Sequence, residues 1–238
     1  MTNSAEPGQY PGLVIAVDGP AGSGKSSAAR GVARALSLRY LDTGAMYRAL
    51  TWWMLANRVD VASATAVTGQ LGRAVIEIST DPDAPEIRVN GADVTAPIRT
   101  REVSNAVSAV ATVPQVRAQL IAMQREIIAQ AVAAGDGIVA EGRDIGSVVA
   151  PDAPVKVFLT ASETVRATRR SADLAGDPGV TVALTQAEQE RRDRRDAPQM
   201  TRAADAVEID STGLGLDEVV AEIVALAMSR TAGAAWPA

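Results

Sequence analysis

"LVIAVDGPAGSGKSSAARGVARAL", residues 13–36, decides the fold. Leu13–Gly19 is short, apolar and rich in β-branched residues, and it stops at a glycine, as a buried strand does. Lys25 to Leu38 carries apolar or small residues at Ala28, Ala29, Val32, Ala33 and Leu36, the spacing of a helix. Between them lies Gly19-Pro20-Ala21-Gly22-Ser23-Gly24-Lys25-Ser26, followed by Ser27. In a strand–loop–helix context these glycines let backbone N–H groups close around a β-phosphate, with the positive end of the helix facing it. Lys25 can reach the β and γ oxygens, and the Ser26 hydroxyl can hold Mg²⁺. A mere glycine turn before an ordinary helix would leave the lysine unexplained. Lys25 and Lys156 are the only lysines among 23 basic residues, an arginine bias that a GC-rich genome would also produce. The stretch implies a bound nucleoside triphosphate but does not say where its phosphate goes.

Working outward, "GIVAEG" (Gly137–Gly142), "VKVFLTA" (Val155–Ala161) and "AVEIDS" (Ala206–Ser211) read as further buried strands, and a short one precedes "LDTGAMYRAL". Helical stretches at Pro114–Ala134, Ser162–Leu174, Thr181–Arg195 and Leu216–Ser229 separate them. This alternation predicts an α/β/α P-loop domain around a five-stranded parallel sheet, with ligands at the carboxyl ends of its strands. Residues 73–94 break the pattern. They alternate apolar and polar side chains and contain the turn Asn90-Gly91, which predicts a small antiparallel insertion.

Composition narrows the chemistry. The chain has 238 residues, enough for one such domain, and 47% of them are hydrophobic. Aromatics are only 3%, so the core must be Ala, Val, Leu and Ile. Without cysteine there is no disulfide framework, thiolate metal site or thiol nucleophile. Without histidine the usual general base near neutral pH is missing. A net charge of −5 argues against a nucleic-acid partner. The opening "MTNSAEPGQYPG" lacks the pattern of a signal peptide, and no apolar run is long enough to span a bilayer, so a cytoplasmic protein is expected.

No Asn-Lys-x-Asp guanine reader is present, which disfavours a Ras-like GTPase, and large motor or transporter ATPases need more chain. A small-molecule kinase remains. If the acceptor is itself a phosphate monoester, its second pKa of about 6 makes it largely a dianion near neutrality, already able to attack without a base. The obstacle is repulsion between two polyanions, and fixed guanidiniums are the remedy. Four places suit that role. They are Asp42, Thr43, Tyr47 and Arg48; Ser108 and Arg117 around Pro114; Arg143 and Asp144 between glycines; and "QERRDRRD" with Arg192 and Asp196. Plainer readings stand beside them: Thr43 as a helix cap, Tyr47 as packing, Ser108 as an ordinary helix serine, and "ERRDRRD" as a solvated helix laced with pairs such as Arg192–Asp196. Flanking glycines make Arg143–Asp144 the hardest to explain as a surface ion pair.

Together "AVDGPAGSGKSSAARGVARAL", "YLDTGAMYRAL", "IRTREVSNAVSAVATVPQVR", "AEGRDIGSVVAPDAPVKVFLTAS" and "ERRDRRD" resemble the bacterial cytidylate kinases over about residues 13–228. The resemblance implies transfer of the γ-phosphoryl of ATP to CMP or dCMP with Mg²⁺, by a monomer acting on small molecules. It implies that Gly19 to Ser27 bind ATP, with Lys25, Arg143, Arg192 and Asp196 catalytic. It further implies that Thr43, Tyr47, Arg48, Ser108, Arg117, Arg143, Asp144, Arg192 and Asp196 bind CMP. Within that set Arg48 and Arg143 would face the phosphate, and Ser108, Arg117 and Asp144 the cytosine. A single kinase domain over 13–230 follows, with core 13–68 and 112–230, a monophosphate-binding arm at 69–111, a lid at 171–202, and loose tails at 1–12 and 231–238. Two departures stand out. Thr43 replaces a frequent serine, and Gln199 stands where the family's pattern has a lid arginine, for which Arg194, Arg195 or Arg202 could substitute. UMP or a phosphate-free metabolite as acceptor, and an ATP-gated binding module without transfer, remain alternatives. A phosphate-free acceptor would need Asp42 or Asp144 as base.

Overall fold

The computed structural model describes residues 10–173 and 182–232. Most of both expected tails, and residues 174–181 of the expected lid, lie outside the described residues.

Strand β1 (Val14–Asp18) leads through the glycine loop to α1 (Lys25–Ala35), β2 (Arg39–Asp42), α2 (Thr43–Ala56) and the short α3 (Ala64–Thr68). The insertion supplies β3 (Ile76–Ile78), β4 (Ile87–Val89) and β5 (Ala92–Asp93). Next come α4 (Arg101–Ala111) and α5 (Pro114–Ala133), divided where Pro114 opens a new first turn. The chain continues through β6 (Ile138–Gly142), a π-helical turn over Ile145–Val149, β7 (Val155–Thr160) and α6 (Glu163–Asp173). It ends with α7 (Val182–Asp196), β8 (Val207–Asp210) and α8 (Leu216–Thr231).

The main sheet is parallel and five-stranded, in the order β2-β6-β1-β7-β8. After β1 the chain moves out to β2, then returns to fill the intervening place with β6 and crosses over to β7. The order therefore reverses at β1, and such a reversal opens a crevice at the carboxyl ends of the strands. The glycine loop after β1 and the turn after β6 face one another there.

Alternation along β1 sorts the core. Ile15 and Val17 pack with Ala29, Val32 and Ile223 beneath α1 and α8. Ala16 packs with Leu41, Met46, Leu50, Val116 and Leu120 beneath α2 and α5. The core is aliphatic, as the scarcity of aromatics requires. Helix α1 stops three residues before the expected Leu38. Ser37 turns to a φ of 52° and the Leu38 N–H donates to the Ala33 carbonyl at 2.7 Å, closing the last turn. Leu36 and Leu38 are buried all the same, so the apolar spacing outlasts the helix.

The insertion is a three-stranded antiparallel sheet, one strand more than a simple hairpin. Its Ile76, Ile87 and Val89 join the apolar cluster of α2. Its far loop is fastened to the core: Arg34 pairs with Asp83 at 2.7 Å, Arg30 donates to the Pro82 carbonyl at 3.2 Å, and the Tyr40 N–H donates to the Thr80 carbonyl at 2.8 Å. No helix among the described residues is long and apolar enough to cross a membrane.

Candidate active site

Only glycine fits at position 19, where φ is +148° and a Cβ would stand 2.1 Å from the Leu159 carbonyl oxygen. Gly24 caps α1 in the left-handed region at φ 89°, so the free N–H groups of the first helical turn open toward the loop. Lys25 folds back across that loop, and its Nζ donates to the Pro20 carbonyl at 2.7 Å. Burial, and then the neighbouring Arg143, lower its pKa to about 8 against the opposing pull of Glu141. The exposed Ser26 meets the carboxyl of Glu141. Glu141 sits on β6 and is buried, and it also accepts from the Tyr40 hydroxyl at 3.0 Å. Burial, and then Asp42, raise its pKa.

The residues expected on the acceptor side gather around the turn after β6. Arg143 Nη1 donates to the Gly19 carbonyl at 3.1 Å, and its Nη2 pairs with Asp196 at 2.9 Å. Asp144 pairs with Arg117 at 2.5 Å, and Arg117 also donates to Gln199 Oε1 at 3.3 Å. Asp196 accepts from the Ser108 hydroxyl at 2.8 Å and lies 3.6 Å from Arg192 Nε, an atom left without a hydrogen-bond partner. Arg48 pairs with Asp42 at 2.9 Å. The other Asp42 oxygen accepts from the Ala45 N–H at 2.7 Å, so Asp42 rather than Thr43 caps α2. The Thr43 hydroxyl instead donates to the Glu141 carbonyl at 2.7 Å. Tyr47 is half-buried beside Arg117 and Asp144, and burial pushes its phenol up to about 12.

Contacts thus link Ser108, Arg143, Arg192 and Asp196, and separately Arg117 with Asp144, while Thr43 and Arg48 hold to Glu141 and Asp42. Burial, and then Arg143, Arg48 and Arg170, draw the Arg192 pKa down to about 9, with Asp196 opposing them. Arg192 thus lies among the guanidiniums of Arg143, Arg48 and Arg170. A cavity of about 140 Å³ opens beside it between α4 and α7, lined by Ser104, Asn105, Ser108, Glu188, Arg192 and Arg195. Of the three candidates for the missing lid arginine, only Arg195 lines this space. Arg202 turns to Glu208 on β8, and Arg194 is exposed 4.0 Å from Glu190.

A family model described as "Cytidylate kinase" matches residues 15–229. The chain belongs to the cytidylate kinase family. It is 48% identical over 237 residues to the cytidylate kinase of Streptomyces coelicolor, spanning 98% of this chain and 100% of that protein. The cytidylate kinase of Streptomyces avermitilis is 47% identical over 226 residues, 93% of this chain and 95% of that protein. That of Mycobacterium leprae is 44% identical over 230 residues, 94% and 99% of the two chains.

For an enzyme of the cytidylate kinase family the charge is distributed sensibly. Lys25 lies on the glycine loop, and arginines paired with carboxylates lie at the turn after β6 and on α2. Two residues beside these side chains, Glu141 and Arg170, escaped the reading of the sequence. Glu141 is hidden in a strand whose apolar flanks are its main signal, although a buried acid always calls for a partner. Asp42, expected as a site residue and a possible base, is the cap of α2 and the partner of Arg48. Arg170 comes from α6, where nothing in the local pattern links it to Arg192.

Proposed function

We propose that the protein transfers the γ-phosphoryl group of ATP to CMP or dCMP, giving ADP and CDP or dCDP. The observation that carries this reading is the Arg143–Asp144 turn. One residue of it reaches back to the first carbonyl of the donor loop while the next pairs with an arginine in the acceptor pocket. A phosphate held by Arg143 would therefore lie beside the donor phosphates, and a base reading Asp144 would lie one residue further along.

Each step follows from groups already named. The acceptor phosphate arrives largely as a dianion, so the lack of histidine is no handicap. Arg48, Arg143 and Arg192 offset its charge and align it with the γ-phosphorus. The carboxylates Asp42 and Asp144 are each held by a guanidinium, which fits orientation better than proton abstraction and disfavours a phosphate-free acceptor. An Asp144 oxygen can accept from the exocyclic amine of cytosine, and it repels the carbonyl that uracil presents at that position. Lid closure would exclude water, to which ATP would otherwise lose its phosphate.

The donor set suits Mg²⁺. The described residues contain no cluster of three or more ligating side chains, and Mg²⁺ binds through one or two protein oxygens, substrate phosphates and water. Ser26 would be its direct partner, with Glu141 holding the hydroxyl and a bound water. The ion supplies charge neutralisation on the β- and γ-phosphates. A cytoplasmic monomer is the state in which we expect the enzyme to act.

The test is direct. Purified protein is incubated with MgATP and CMP, dCMP, UMP, AMP or GMP in turn, and ADP and diphosphate products are resolved by chromatography. Rapid turnover with CMP and dCMP is expected. Equal or faster turnover with UMP would point to another acceptor. ATP binding with no product on any acceptor would leave a nucleotide-gated module instead.

A further inference from the structure

Asp18 is the last residue of β1 and is 3% exposed. Its carboxylate does not point into the phosphate loop that it precedes. It turns across to the neighbouring strand, where Oδ1 accepts from the Ile145 N–H and Oδ2 from the Gly146 N–H, each at 2.8 Å. These are the two amides that directly follow Arg143 and Asp144. A second tie runs beside the first, since the carbonyl of the next residue, Gly19, accepts from Arg143 at 3.1 Å. The neighbourhood leaves little slack. A Cβ on Gly146 would stand 3.2 Å from Lys156 Cδ and 3.5 Å from Asp18 Oδ2.

We infer that Asp18 is a positioning residue for acceptor recognition, its carboxylate locking the Arg143–Asp144 turn in register with the donor loop. This rests on the proposed CMP kinase activity. The physical basis is simple. The N–H groups that begin the π-helical turn have no helical partner, and leaving either buried and unsatisfied is costly. One carboxylate satisfies both at once, and because it belongs to β1 it fixes the turn relative to the strand that carries the cradle. Asp18 touches neither substrate; it acts through the two residues that do.

The side-chain chemistry makes this testable with a nearly isosteric change. In Asp18→Asn one oxygen becomes an NH₂ group, which faces a backbone N–H donor to donor. The turn must shift, carrying Arg143 and Asp144 with it. Displacement of about 1 Å can cost on the order of 10²-fold in rate. The expected result is a rise in KM for CMP and a fall in kcat of about 10–100-fold. The CMP-to-UMP ratio of kcat/KM should fall by about tenfold, as Asp144 leaves its place. KM for ATP stays within about twofold, because of the cradle only the Gly19 carbonyl meets this turn, through Arg143, while Lys25 holds to Pro20.

The experiment measures KM for ATP, KM for CMP, kcat and the CMP-to-UMP ratio for wild type, Asp18→Asn and Asp18→Ser, with binding of a fluorescent ATP analogue as the control for folding. Selective loss on the CMP side in a variant that still binds the analogue supports the inference. Unchanged KM for CMP and unchanged selectivity overturn it, as does parallel loss of ATP binding or failure of both variants to fold. Those outcomes assign Asp18 to the fold alone. A wild-type protein without CMP activity would instead overturn the kinase reading.

Discussion

Arg143 and Asp196 meet at 2.9 Å, joining the turn after the central strands to the last residue of α7. Asp196 also accepts from Ser108 on α4, so the turn after β6, α4 and α7 converge on one carboxylate. If Arg143 receives the acceptor phosphate as proposed, that dianion would compete with Asp196 for the same guanidinium. Arg143→Ala should lower kcat/KM for CMP by about 10²–10³-fold, with thermal unfolding little changed. Arg143→Lys should recover little of it, because an ammonium cannot fork between the Gly19 carbonyl and a phosphate. Steady-state kinetics beside circular dichroism decide the matter, and full activity in the alanine variant would sink the assignment.

Lys25 spans the glycine loop to the Pro20 carbonyl, a contact that bound phosphates would replace. Lys25→Ala should therefore lose turnover by about 10²–10³-fold while CMP binding persists. Isothermal titration with CMP separates these two effects. Simultaneous loss of CMP binding would show that the lysine does more than hold the donor.

Glu141 meets Ser26 and Tyr40 through its carboxylate and Thr43 through its backbone carbonyl. Replacing it with glutamine preserves shape and removes the charge that the metal would feel through its water. Glu141→Gln should raise the Mg²⁺ concentration needed for half-maximal rate by about 10–100-fold. Titrating MgCl₂ at fixed ATP, after chelation with EDTA, reads this directly. An unchanged Mg²⁺ dependence would remove Glu141 from the metal's surroundings.

Much of this architecture is local in origin and therefore visible in the chain. Strand, glycine loop and helix at 13–36 are contiguous, and their apolar spacing and turn residues act within a few positions of one another. The insertion announced itself through alternation and Asn90-Gly91, the latter adopting positive φ at both residues. What stayed hidden depends on which strands become neighbours. Glu141 reaches Ser26 only because β6 fills the place beside β1, and Asp18 holds Ile145 and Gly146 for the same reason. Arg202 looked as suitable as Arg195 until β8 brought Glu208 beside it.

Asp18 should also mark the pH dependence of stability. Burial raises its pKa from 3.8 to about 6; the Gly146 and Ile145 amides and Lys25 oppose the shift, and Asp144 adds to it. The folded state thus holds this proton more tightly than the unfolded chain. Its contribution to stability is full below the unfolded value, falls as pH rises through about 4 to 6, and is flat above. A shift of about two units is worth roughly 3 kcal/mol at most. The stability of wild type relative to Asp18→Asn should fall as pH rises across that window. Urea midpoints at several pH values measure it, and a constant gap would refute the shift.

Asp144 offers the sharpest test of substrate choice. Its carboxylate is acceptor-only and is oriented by Arg117 at 2.5 Å, so it can take a hydrogen bond from the amine of cytosine but can give none to the carbonyl of uracil. Asp144→Asn supplies an NH₂ group that can donate to that carbonyl, while weakening the hold of Arg117. Turnover of CMP should fall and that of UMP should be relatively spared, shrinking the CMP-to-UMP ratio of kcat/KM by about 10²-fold. Competition between the two nucleotides in one reaction mixture gives the ratio without separate rate constants. If the ratio keeps its wild-type value while both rates drop together, Asp144 serves only to anchor Arg117, and base discrimination must reside in Ser108, Arg117 or Tyr47.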